Sequence, residues 1–303
     1  MILFFYNNKK YIKTKNIYNK IMQKLFDKLV TKIITNDLNN FKFLLENSIK
    51  NNKYNINYIG NIEKYQNKLN CDNKQTELSL IHILFKYSNQ IDLLSFLKLL
   101  LDNNVNINQK NSIGNTSLHE AIYFNNYNII KLLIKKKANV NAQNNKLETP
   151  LHIASLYGYS EIMYLLLENK ANINLITSNG ENALHYACYD CYDIMILNML
   201  VDRGININLK DNEGYTPFHI ICYCCQNIDF VTYLIENGIH INSQTKIGLT
   251  ALHLIFLANH LDIEMKIMLA NLLHKHKGNF HIKDSMNDTP LTLVEKYYLI
   301  TPD

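Results

Sequence analysis

Apolar residues along this chain fall in paired short blocks at helical spacing. In the stretch that opens at Thr149, Leu151 and Ala154 form one block and Ile162, Leu165 and Leu166 a second. Each is the stripe that one face of a short amphipathic helix would bury. Two stripes in quick succession predict an antiparallel helix pair. The pattern then recurs with a marker: histidines at His82, His119, His152, His185, His219 and His253, separated by 37, 33, 33, 34 and 34 residues.

The segments around these histidines share one form: TSLHEA from Thr116, TPLHIA from Thr149, NALHYA from Asn182, TPFHII from Thr216 and TALHLI from Thr250, with a degenerate TPLTLV from Thr289. An alternating tetrad follows each helix pair, ending at Asn141, Asn174, Asn208 and Asn242, and its last residue always stands eight positions before the next helix start. Ser79, Thr116, Thr149, Asn182, Thr216, Thr250 and Thr289 carry a side-chain oxygen suited to capping a helix start. Pro150, Pro217 and Pro290 sit at the first helical position, where no N–H is missed. Gly114, Gly180, Gly214 and Gly248, with Asn287 in the last copy, stand two residues before the cap, as a tight turn with positive φ requires. Leu147 breaks this rule and predicts a strained or differently turned finger. The second helices end at Gly204 and Gly238, or at Asn104, Lys137, Lys170 and Lys277, where a left-handed C-cap is less comfortable for lysine.

One pair of short helices cannot bury its apolar faces alone, so neighbouring pairs must stack. The repeat resembles the ankyrin repeat over roughly residues 79 to 294. The fold class this implies is an all-α ankyrin-repeat solenoid of stacked helix pairs with β-hairpin finger loops. Four segments are expected: 1–46, an N-terminal helical cap with a divergent repeat; 47–78, an Asn- and Lys-rich insertion or long finger; 79–288, about six helix pairs; and 289–303, a C-terminal capping half repeat. In the first, Ile21, Leu25, Leu29 and Ile33, then Phe41, Leu44 and Leu45, lie at helix spacing.

Composition narrows the function. Of 303 residues 47% are hydrophobic, enough for a real core and incompatible with a disordered chain. The net charge of +5 is modest, and every basic residue but Arg203 is lysine; a nucleic-acid binder would be more basic and richer in arginine. No run of eighteen apolar residues could cross a membrane, and Met1 to Tyr6 is too short for a signal-peptide core. Lysines 9, 10, 13, 15, 20, 24, 28 and 32 read as the solvated face of a capping helix. The six cysteines, five of them between Cys188 and Cys225, fit thiols in a reducing cytoplasm. The abundance of asparagine reads as nucleotide bias without mechanism.

Neither the histidines nor the cysteines predict a metal site. The histidines come one per repeat and cannot converge, and their rings are placed to bond backbone of the adjoining finger. Cys188-x-x-Cys191 and Cys222-x-x-Cys225 are 34 residues apart, the repeat period itself, so translated copies do not bring four thiolates together tetrahedrally. Cys188 and Cys222 fill the slot of Ser155 as small buried thiols. No P-loop, HExxH or nucleophile elbow is present. No enzymatic activity, metal or cofactor is expected, and Asp262 and Glu264 read as solvated.

The resemblance places first-helix residues four and five positions beyond each histidine on a concave surface that the family keeps polar when no ligand uses it. Here they are Tyr123 and Phe124, Leu156 and Tyr157, Tyr189 and Asp190, Tyr223 and Cys224, and Leu257 and Ala258. An exposed aromatic strip of this kind marks a protein-binding face, with Tyr123, Phe124, Tyr157, Tyr189 and Tyr223 as expected hot spots. Fingertip residues including Asn145, Lys146, Leu147, Asn212, Glu213, Lys246 and Ile247 would form its rim. The expected function is binding of another protein by a monomer, with no nucleic acid or membrane as partner. Residue usage resembles that of ankyrin proteins of large DNA viruses such as poxviruses, or of intracellular parasites. That implies a host protein as partner and the host cytoplasm as location. A substrate-presenting ubiquitin-ligase adaptor and a multi-partner scaffold are the alternatives; the absence of room for an F-box-like segment after the last half repeat argues against the adaptor.

Overall fold

The computed structural model describes residues 23–50, 59–61, 77–86, 92–190, 193–224 and 227–298. Lysines 9 to 20, Ile21, Cys71, Cys191, Cys225 and most of the 47–78 insertion lie outside the described residues. The chain divides after Asn145 into two compact units.

The first unit opens with helices over 23–34 and Leu38–Lys50. Phe26, Leu29, Val30, Ile33, Phe41 and Leu45 are fully or almost fully buried, whereas Leu25 and Leu44 are only half-buried. The expected stripe of every fourth residue is thereby corrected to positions 26, 29, 30 and 33. A strict spacing of four drifts about 40° per step around a 3.6-residue helix, whereas the alternation of three and four stays on one face. Phe41 meets Phe96 of the next helix pair edge to face, with ring centroids 5.1 Å apart. Within the insertion, β1 (Ile59–Asn61) pairs antiparallel with β2 (Glu77–Ser79), Ile59 opposite Ser79. The helix Leu80–Lys86 follows at once and packs on Leu93–Asp102; Ser117–Tyr123 and Tyr127–Lys135 complete the unit.

The second unit holds four helix pairs: Pro150–Leu156 with Ser160–Glu168, Ala183–Asp190 with Ile194–Val201, Pro217–Cys224 with Ile228–Glu236, and Ala251–Leu257 with Ile263–Lys275. Pro290–Tyr298 packs against the last first helix. Successive first helices stack on one another and carry the core, with Leu151, Ala154, Leu184, Phe218, Leu252 and Ile255 at or below 1% exposure. Cys188 and Cys222 are as deeply buried as Ser155, as their shared slot requires.

Three sets of polar contacts hold the repeats in register. The first uses the histidines. His152 Nδ1 accepts from the Thr149 backbone N–H at 3.2 Å, and its Nε2 lies 3.3 Å from the carbonyl of Glu181 in the next finger. His185 reaches Tyr215, His219 reaches Ser243 and His253 reaches Asp288 in the same way. Because Nδ1 accepts a backbone N–H, the ring must be neutral with its proton on Nε2. Thr292 replaces the histidine in the last copy, its hydroxyl accepting from the Thr289 N–H at 2.7 Å.

The second set uses asparagine. Asn108 Oδ1 accepts from the Asn139 N–H, Asn208 from His240 and Asn242 from Asn279, each at 2.7–2.8 Å. Asn208 and Asn242 at their tetrad ends, and Asn108 at the equivalent place eight residues before Thr116, therefore tie one repeat to the next, which corrects the reading of asparagine's abundance as bias alone.

The third set joins fingertips. The β-hairpin expected in each finger is reduced to one tight turn, such as that closed by Asp211 N–H to Tyr215 C=O at 2.8 Å and Gly214 N–H to Asp211 C=O at 3.0 Å. The backbone capacity left over is used sideways: Lys146 C=O accepts from Ser178, Asn179 from Asn212, Glu213 from Lys246 and Ile247 from Ser285. At Gly214, φ is +84°, and an added Cβ would stand 2.8 Å from the Lys246 nitrogen that makes this lateral bond. Both the turn and the bond require glycine there.

Candidate functional site

The sequence placed its candidate site at the C-terminal ends of the first helices. In the first unit Tyr123 and Phe124 are exposed, with Phe124 stacked on the buried Phe85 at 6.4 Å. In the second unit Tyr157, Tyr189 and Tyr223 are each 40% exposed, and Leu156 and Leu257 are half-buried. The series stops at Ala258, which is fully buried. The helices Ser117–Tyr123 and Pro150–Leu156 end with positive φ at Asn125 and Gly158 shortly after the aromatic pair, whereas the Ala251–Leu257 helix runs into extended backbone at Ala258. The altered exit turns that side chain inward. Lys146, Leu147, Glu213 and Ile247 are exposed at the fingertips as expected.

Between the fingers and first helices of the second unit lies a cavity of about 710 Å³. Glu181, Asp211 and Glu213 contribute its carboxylates and Tyr189, Tyr215 and Tyr223 its rings. Tyr189 Oη donates to Glu181 Oε1 at 2.7 Å, and Thr177 and Asn179 donate to Oε2 at 3.5 and 3.4 Å. Burial, followed by this bond to Glu181, pushes the Tyr189 phenol well above its ordinary value. Tyr186, on the same helix as Tyr189, reaches back to the preceding finger and donates to Glu148 at 2.9 Å; burial and that bond raise its phenol as well. Asp211 Oδ1 accepts from the backbone of Glu213 and Tyr215, which fixes the finger turn. His219 lines the cavity too, and burial lowers it to about 4, so it carries no charge near neutrality. Cys224 forms part of the wall.

Sequence reasoning found Tyr189, Tyr223, Leu257 and Glu213 and missed Glu181, Asp211 and Tyr215. A signal for Glu181 was present. Glu148 and Glu181 both stand directly before a helix cap, 33 residues apart, and each accepts from a tyrosine of the Ala183–Asp190 helix, Tyr186 and Tyr189 respectively. Among the described residues no group of three or more His, Cys, Asp or Glu side chains is arranged to hold a metal ion, and no helix is long and apolar enough to cross a membrane.

The ankyrin-repeat family matches in three overlapping copies, over residues 29–144, 81–177 and 151–245. The chain belongs to the ankyrin-repeat family. The match begins at Leu29, so the divergent N-terminal helices count among the repeats. No curated protein is similar enough in sequence to be counted a relative. Of 622 matching solved chains, the crystallised ankyrin repeat domain of Bcl-3, described as a unique member of the IkappaB protein family, superposes with a TM-score of 0.58 at 21% identity, covering 71% of this chain and 93% of that one. Likeness at this identity establishes the ankyrin fold. Ankyrin repeats are in general protein–protein interaction modules; the fold itself names no partner, and function has to be argued from the exposed residues.

Proposed function

We propose that this ankyrin-repeat protein is a reversible, non-enzymatic binder of another protein, acting as a monomer through the face between its first helices and fingers. The observation that carries this reading is the row of tyrosines Tyr157, Tyr189 and Tyr223, equally exposed in three successive repeats. Rings held on stacked helices offer contact area at little ordering cost, which is why tyrosine is enriched at interface hot spots. Lys146, Leu147, Glu213 and Ile247 form the rim, with Leu156 and Leu257 beside the rings. Tyr123 and Phe124 give the first unit an exposed aromatic pair of its own. Residue usage like that of viral and parasite ankyrin proteins supports a host protein as the partner, met in the host cytoplasm.

The test is affinity capture with the wild-type chain and the Tyr157→Ala/Tyr223→Ala variant. Both rings are 40% exposed, so truncating them opens little buried space. Thermal unfolding should therefore change little, while affinity for the captured protein falls by roughly 30-fold or more, the loss of about 2 kcal/mol expected of a hot spot. Retained capture by a folded double variant would refute the proposal.

A further inference from the structure

The cavity beside the tyrosine row has a charge problem that suggests what fills it. Glu181 is only 5% exposed, and its oxygens are held by three neutral donors: a phenol, a hydroxyl and an amide. Among the described residues neither it nor Asp211 or Glu213 forms a salt bridge, and no lysine or arginine lines the cavity. Three carboxylates with no cation among the lining residues thus gather at one concavity, where Lys210 acts on the lining His219 from outside the wall. Burying a carboxylate without a cation is costly, and a cation supplied from outside relieves that cost.

The walls say which cation. Tyr189, Tyr215 and Tyr223 line the cavity together with the carboxylates, and a planar guanidinium can stack on a ring while donating in a fork to a carboxylate. The volume suits a side chain together with its flanking backbone. We infer that the Glu181–Asp211–Glu213 cavity between Tyr189 and Tyr223 receives an arginine side chain of the partner protein. The inference rests on the proposed protein-binding role and adds the residue that the partner contributes.

The probe is acetyl-Gly-Arg-Gly-amide, titrated into the full-length chain and followed by NMR, against the same peptide with citrulline, which keeps the shape and loses the charge. The arginine peptide should bind saturably, with citrulline at least about 10-fold weaker. Raising salt should weaken arginine selectively. Glu213→Gln, at an exposed fingertip, should reduce arginine binding about 3-fold or more and leave thermal unfolding unchanged. Equal binding of the two peptides, insensitivity to Glu213→Gln, or no saturable response by about 20 mM would overturn the inference. With a captured partner the two proposals separate. If Tyr157→Ala weakens capture and Glu213→Gln does not, the binding face stands and the arginine cavity falls; if neither weakens it, both fall.

Discussion

Leu147 illustrates how one residue departs from a repeat and still obeys its geometry. The turn demands positive φ, supplied by glycine at 114, 180, 214 and 248, and Leu147 adopts φ +58° in the same place. The strain anticipated from the sequence is therefore real, because a Cβ in this region is held against its own backbone. Lys137, Lys170 and Lys277 do the same at helix C-termini, with φ between 66° and 69°. Leu147→Gly and Lys170→Gly should each stabilise the chain by about 0.5–1 kcal/mol after allowing for the greater freedom of unfolded glycine. Urea unfolding checks this: both midpoints should rise with unchanged slope. A fall in either would mean that side-chain contacts outweigh the backbone term.

Among elements, the histidine that joins each first helix to the following finger makes the stack sensitive to acid. Burial lowers His152 and His219 to about 4 and depresses His185 and His253 as well. A ring with a lowered folded value stays neutral in the native chain while the unfolded chain takes up a proton below about pH 6.5. Stability is thus complete above pH 6.5 and is lost as pH falls towards 4, by up to about 3 kcal/mol for each of His152 and His219. Urea midpoints should be flat from pH 8 to 7 and drop steeply between 6 and 4.5; a flat profile through that lower range would contradict the neutral-ring assignment. The histidine period, the caps and the turn glycines were legible in the sequence because each satisfies a local rule at fixed spacing. The asparagine ties were not, since Asn108, Asn208 and Asn242 bond residues 31 to 37 positions away. Asp92, Asn126, Asp193, Asn227 and Asp262 cap the second helices, each accepting a backbone N–H, and were hidden among many similar polar residues.

At the scale of the molecule, the architecture divides labour between the two helices of each repeat. In the second unit the first helices carry the stack and expose their aromatic ends beside the fingers, whereas the second helices expose Tyr164 and Met195 singly and Ile263, Ile267 and Met268 together on the last of them. The tyrosine row was legible by counting from the histidines, Tyr157 standing five positions beyond His152 and Tyr189 and Tyr223 four beyond His185 and His219. The cavity was not, because its acids come from two fingers and its rings from a finger and two helices, an assembly that only the stack creates. Hydrogen–deuterium exchange on the second unit with its captured partner tests the binding face most directly. The account predicts added protection in the fingers and in the helices Pro150–Leu156, Ala183–Asp190 and Pro217–Cys224. The helices Ser160–Glu168, Ile194–Val201 and Ile228–Glu236 should be unchanged. Protection concentrated on those second helices instead would contradict it.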